Sequence, residues 1–141
     1  MLNAMSQYLE KNNFKGMNVY SLNAAGKDFI GSDLNVKFST HCEHYLMRND
    51  LYIHYGCPKD WKIEAKVTFQ TMGTNEQYVK PDARFFANDT WHYIEIDRTQ
   101  SMVQNRSKID QYAALSEIMK IKLNHKPMII FYTTKESRQE K

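Results

Sequence analysis

Long apolar runs are absent from this chain. No stretch approaches the roughly 20 residues that a membrane-spanning helix requires, and the first residues lack the basic-then-apolar order of a secretory leader. Cysteine is scarce. Cys42 and Cys57 alone do not make a disulfide framework, so the chain reads as a reduced, cytoplasmic protein with no membrane partner. No glycine-rich phosphate loop is present, and no Ser/His/Asp or Cys/His order stands out, which leaves nucleotide hydrolysis and triad chemistry without a signal. Neither sign of charge dominates. Nineteen Lys and Arg face sixteen Asp and Glu, for a net charge of +3. That balance permits a nucleic-acid partner without demanding one.

What is present is globular material. The 141 residues are 42% hydrophobic and 25% charged, and nine Tyr, seven Phe and two Trp supply large core groups. This is enough for an ordinary domain with a real core. Leu2, Met5 and Leu9 have helical spacing. "MNVYSLNAAGKDFIG" reads as a strand, a turn at Asn23 to Gly26, and a second short strand or helix end. A helix followed by a hairpin is how a winged helix-turn-helix finishes, so residues 1–33 are expected to be the remnant of one. Ser39 to about Tyr55 reads as a helix stopped by Gly56, Cys57 and Pro58.

Residues 34–141 are expected to form an α/β domain with a mixed central sheet and flanking helices. In "DWKIEAKVTF", Trp61, Ile63, Ala65, Val67 and Phe69 alternate with polar residues, the period of a strand. "YVKPDARFF" is a second strand, with Pro81 favouring an edge or a strand start. "NDT" turns a hairpin into "WHYIEID". A helix is expected from about Ser101 to Leu123, with Met102, Ile109, Tyr112, Ala113, Met119 and Leu123 on one side. "PMIIFYT" then reads as a strand buried on both faces. Strands in series followed by a helical crossover give a mixed sheet.

The acids of "PDARFFANDTWHYIEID" need a reason, since strands disfavour Asp and Glu. Period two puts Glu95 and Asp97 on the face of Trp91 and Tyr93. Asp82 lies thirteen positions before Glu95, across the hairpin. Cross-strand neighbours approach to roughly 5 Å, so Asp82 and Glu95 could converge. Two close carboxylates repel unless a cation lies between them, and Mg²⁺ or Mn²⁺ suits oxygen ligands of this kind. The bland alternatives are structural: Asp97 salt-bridged to Arg98, Asp97 or Thr99 capping the next helix, Glu95 paired with Lys108 or Arg106 to hold helix to sheet, and Asp82 serving as a turn acid.

"PD", then "EID" thirteen residues beyond the Asp, then a helix, resembles the PD-(D/E)xK nuclease fold, which is restriction endonuclease-like. "VYSLNAAGKDFIG", "RNDLYIHY", "PDARFF", "YIEIDRTQS", "KIDQYAAL" and "IIFYTTKESR" together are similar to the replication-relaxation family of Gram-positive mobile elements. Members of that family carry an N-terminal winged helix and a C-terminal nuclease-like domain; the resemblance implies that residues 1–33 correspond to the later part of that winged helix. The resemblance implies that Asp82 and Glu95 occupy the metal-ligand positions, with Glu64 placed like a preceding acid. Asp97 stands where the motif has its Lys, and an acid cannot orient or activate a water as that Lys does. Lys108 matches the family's Lys with Tyr112 and is the residue that could stand in.

The remaining constellations are weaker. His41, Cys42, His44 and Cys57 do not make a convincing zinc set. Trp91, Tyr93 and Tyr112 could stack on bases, though alternating aromatics are usually core. Lys120, Lys122, His125 and Lys126 form a charged turn able to touch phosphates. The expected function is a DNA-interacting protein of a plasmid, phage or integrative element, acting in replication or its control, with a nuclease-like fold short of a full catalytic set. The alternatives are a nuclease using Mg²⁺ or Mn²⁺ at Asp82 and Glu95, and a protein–protein module docking on a replication partner.

Overall fold

Hydrogen-bonding demand and turn chemistry divide the chain more finely than its periodicity predicts. A computed structural model describes residues 2–34, 38–39, 41–73, 75–98 and 102–134. The chain splits into two compact units, Met1–Tyr45 and Leu46–Lys141.

In the first unit the helix expected through Leu9 is cut short. Helix α1 (Leu2–Met5) passes through a 3₁₀ turn (Ser6–Tyr8) into strand β1 (Leu9–Phe14), which pairs antiparallel with β2 (Met17–Leu22). The reversal falls at Lys15 and Gly16, whose φ values of 50° and 79° belong to the two-residue turn that matches strand twist. The expected turn at Asn23 to Gly26 is instead the start of helix α2 (Ala24–Ile30). The Asn23 side chain accepts from the Gly26 N–H at 2.9 Å, a role for which Asn is preferred.

Gly26 is buried for a steric reason. A Cβ there would lie 2.3 Å from the Tyr8 carbonyl oxygen. That oxygen also accepts from the Asn23 N–H at 3.0 Å, so the backbone on both sides is held. Gly26→Ala is expected to cost about 1–3 kcal/mol through overpacking, read as a lowered thermal midpoint. A midpoint equal to the parent's would mean that the 3₁₀ turn and α2 separate freely.

Helix α3 (Cys42–His54) turns Met47 and Leu51 inward, four residues apart. It ends as its sequence predicts. Gly56 has φ 75°, its N–H donates to the Ile53 carbonyl, and the Cys57 N–H donates to the Tyr52 carbonyl, both at 2.9 Å. This is the glycine-closed C-terminus of a Schellman motif.

Two expected strands break. Glu64 has φ 50°, uncommon for a residue with a side chain, and there "DWKIEAKVTF" divides. β3 (Lys62–Ile63) pairs with β6 (Ala83–Ala87), whereas β4 (Val67–Gln70) pairs with β5 (Glu76–Val79). Alternation survives in β4, where Phe69 is buried between exposed Thr68 and Gln70, but Ile63 is exposed. "YVKPDARFF" divides at Lys80 to Asp82 into β5 and β6, with Pro81 fully buried at the break.

The hairpin of β6 and β7 (Thr90–Asp97) is as tight as expected. Asn88 and Asp89 form its two-residue loop with φ 51° and 56°, which these short polar side chains tolerate. Helix α4 (Met102–Leu123) then crosses to β8 (Met128–Thr133), which lies parallel to β7, giving a mixed sheet of order β3-β6-β7-β8. This is the mixed α/β architecture expected.

β7 carries a core on each face. Ile94 and Ile96 pack with Ala83, Phe85, Met47 and Leu51. Tyr93 packs with Phe69, Val79, Tyr112, Leu115 and Met119. Burial on both faces thus belongs to β7. β8 is an edge strand and only half buried, a correction to the reading of its apolar run. The expected stripe of α4 also shifts: Ile109 and Leu123 are exposed, and the inward positions are Asn105, Lys108, Tyr112, Leu115 and Met119. Among the described residues no helix is long and apolar enough to cross a membrane.

Candidate functional site

The inward stripe of α4 changes character along its length, and so does the facing side of β7. Asp97 meets Asn105, Glu95 meets Lys108 and Tyr112, and Tyr93 meets Met119. From Asp97 back to Tyr93 along β7, the partners advance from Asn105 to Met119 along α4, so the helix runs the opposite way to the strand. Polar groups meet at one end and apolar groups at the other.

Glu95 is the centre of the polar end, and only 2% of it is exposed. The Tyr112 hydroxyl donates to Oε1 at 2.7 Å, and the Lys108 ammonium donates to Oε2. Burial pushes the Glu95 carboxyl above its ordinary value. Hydrogen bonds from Lys108 and Tyr112 and the charge of Lys108 oppose that rise, while the charge of Asp82 adds to it. Burial, followed by the charge of Glu95, drives the Tyr112 hydroxyl far above the usual tyrosine range. Tyr112 therefore keeps its proton and acts as a donor.

Asp82 lies one residue beyond the last β6–β7 pair, Ala83 with Ile94. Its N–H donates to the Ile94 carbonyl at 2.9 Å, and its Oδ2 accepts from the Ile96 N–H at 2.7 Å. The carboxylate thus extends the ladder past the end of β6, and its charge is felt at both Glu95 and Tyr112. Glu64 is exposed, and its N–H donates to the Asp82 carbonyl at 3.3 Å.

Asp97, at the position where the resemblance has Lys, is 3% exposed and accepts from Asn105 Nδ2 at 2.9 Å. Of the cations weighed for Glu95, Lys108 is the partner, while Arg106 is exposed. Thr99 lies outside the described residues. Lys120, Lys122 and Lys126 are all exposed, at the end of α4 and in the loop to β8. Cys42 is buried and Cys57 exposed. Among the described residues, no three His, Cys, Asp or Glu side chains stand together as a metal set.

A Mg²⁺ or Mn²⁺ ion here would take carboxylate oxygens. Both Glu95 oxygens accept from protein donors, one Asp82 oxygen accepts from a backbone amide, and the Lys108 ammonium supplies a positive charge beside Glu95. The arrangement can pin α4 to the sheet and hold a buried negative charge neutralised.

Two residues of this face escaped the sequence reading. Asn105 holds Asp97, and its own Oδ1 is buried without a partner. Arg84, the cross-strand neighbour of Tyr93, lies with its guanidinium 5.6 Å from the Trp91 ring centre. The available signal was the alternation in "ARFFA", which sets Arg84 opposite Phe85 and onto the face of Trp91 and Tyr93.

No curated protein and no solved structure matches the chain. The sequence model of the replication-relaxation family matches residues 6–129, a span reaching from the 3₁₀ turn into β8, and the chain belongs to that family.

Proposed function

We propose that this chain is a DNA-interacting protein of a plasmid, phage or integrative element, acting in the cytoplasm on replication or its control, and that its restriction endonuclease-like framework serves as a scaffold without catalysis. In this reading the β1–β2 hairpin and the helices beside it in sequence descend from a winged helix. Family membership supports the replication theme. The observation that carries the absence of catalysis is Glu95, buried with both oxygens engaged by Lys108 and Tyr112. Its neighbour in the motif, Asp97, is bonded to Asn105 in place of a water-orienting Lys. DNA contact falls to exposed cations, with Lys120, Lys122 and Lys126 the first candidates.

Gel retardation on linear and branched DNA across a salt series tests this function. Binding is expected to weaken steeply with salt, and changing the three lysines to Gln is expected to flatten the log–log slope by as much as about 3 units. Incubation with Mn²⁺ is expected to leave both DNAs intact. Cleavage by the parent that Asp82→Ala and Glu95→Ala abolish would establish the nuclease alternative instead. Lack of any salt-sensitive retardation would favour a module that docks on a replication protein.

A further inference from the structure

We propose that the cleft between the β4–β5 hairpin, strands β6 and β7, and the second half of α4 binds one nucleotide unit, an unpaired base with its phosphate. The cleft holds about 340 Å³, and its walls include Phe69, Arg84, Trp91, Tyr93, Met119 and Lys122. That volume is at the small end for ligand pockets, suited to one nucleotide and too small for a duplex.

Arg84 argues for an anion. Its Nε is buried and has no hydrogen-bond partner, and no acid pairs with its guanidinium among the described residues. Buried donors are rarely left unpaired in folded proteins, and a guanidinium recognises flat or phosphate anions through a fork of donors. Lys122 supplies a second cation on the α4 side, without an acid partner among the described residues, and no Asp or Glu is among the cleft's lining residues. Tyr93, 2% exposed, has its hydroxyl raised above the ordinary value by burial, with the charge of Arg84 opposing the rise.

The rest of the wall argues for a flat apolar portion. Trp91 and Tyr93 stack with ring centres 6.3 Å apart, and such rings offer a platform to any base. Two cations without an acid partner among the described residues disfavour a plain hydrocarbon, and the aromatic walls leave free phosphate poorly filled. A nucleotide satisfies both halves.

This inference rests on the nucleic-acid reading only for its choice of ligand. Calorimetry with thymidine 5′-monophosphate, thymidine and inorganic phosphate tests the cleft directly. The monophosphate is expected to bind at least tenfold more tightly than either fragment. Arg84→Met and Lys122→Gln are each expected to weaken it at least fivefold, while Arg84→Met keeps or raises the thermal midpoint because an orphaned donor is removed. A labelled oligothymidylate that displaces the monophosphate identifies a single-strand end as the source; failure to displace it identifies the free nucleotide.

Absence of monophosphate binding, or parental affinity in Lys122→Gln and Arg84→Met, would overturn the site. Lys122 is exposed, so its variant serves even if Arg84→Met fails to fold. Retardation of duplex DNA that persists while the monophosphate does not bind sinks the cleft and leaves the DNA function standing. Monophosphate binding without retardation does the reverse.

Discussion

Replacing Lys108 by Met is expected to destabilise the chain by about 2–3 kcal/mol at neutral pH, measured by urea unfolding. Removing one partner of a buried ion pair leaves the other charge uncompensated, at a cost of about 3–5 kcal/mol when both are fully enclosed. The Lys108 side chain is 29% exposed and that of Glu95 3%, so water screens part of the loss, and Tyr112 still donates to the carboxylate. The deficit has a definite pH dependence. Burial already holds the folded-state carboxyl above the ordinary 4.5 of Glu, and loss of Lys108 raises it further. A group raised on folding binds its proton more tightly in the native state. The resulting stability is fully present below the ordinary value and is lost as pH rises through the folded value. The difference between parent and Lys108→Met should therefore be widest at neutral pH and shrink toward pH 4.5. Adding Glu95→Gln should recover most of it. A deficit constant across that range would mean that the Lys108 stem, rather than its charge, supplies the stability.

Phe85→Ala should cause the largest loss of stability from any single change in the sheet, about 3–5 kcal/mol. Only 1% of Phe85 is exposed. Its ring stacks on His92 at 4.5 Å and on Trp61 at 5.5 Å, with Tyr55 5.1 Å away. Truncation would leave a hole lined by aromatic groups that cannot collapse into it. The adjacent Phe86 is 42% exposed and touches Trp91 edge-on; Phe86→Ala should cost under about 1 kcal/mol. Because one step along a strand exchanges faces, the contrast between these neighbours also tests the β6–β7 register. Equal unfolding midpoints for the two variants would place that register in error.

The parts of this architecture that a single element dictates were legible in the sequence. "WHYIEID" alternates, so Tyr93 and Glu95 go to one side and Ile94 and Ile96 to the other. "ND" between two apolar segments announced the hairpin, and "GCP" announced the end of α3. The failures share a cause, which is that the deciding contact lies elsewhere in the chain. Glu64 interrupts an otherwise regular strand because the residues before it pair with β6 and those after it with β5. "MIIFYT" resembles a fully buried strand, but its place at the sheet edge is set by which strand it pairs with. On α4, Ile109 is more apolar than Asn105 yet points outward, because the facing strand presents Asp97 where Asn105 sits. Spacing set Asp82 across the hairpin from Glu95, and the charge of Asp82 is felt there. The engagement of Glu95 by Lys108 and Tyr112 depended on the pitch of a helix against a strand, which spacing does not reveal.

The parallel pairing of β7 with β8 bears on biosynthesis. β6 meets β7 through a two-residue loop, so that hairpin can close as soon as both strands leave the ribosome, on the microsecond scale. The other side of β7 must wait until all of α4 and then residues 128–133 have been translated, roughly seconds at ordinary elongation rates. Throughout that interval the most deeply buried strand presents a row of open amides and carbonyls to the cell. Synonymous codons that slow translation between α4 and β8 would prolong that exposure and raise the share of chains captured by chaperones or lost to aggregates, with no change in the finished molecule.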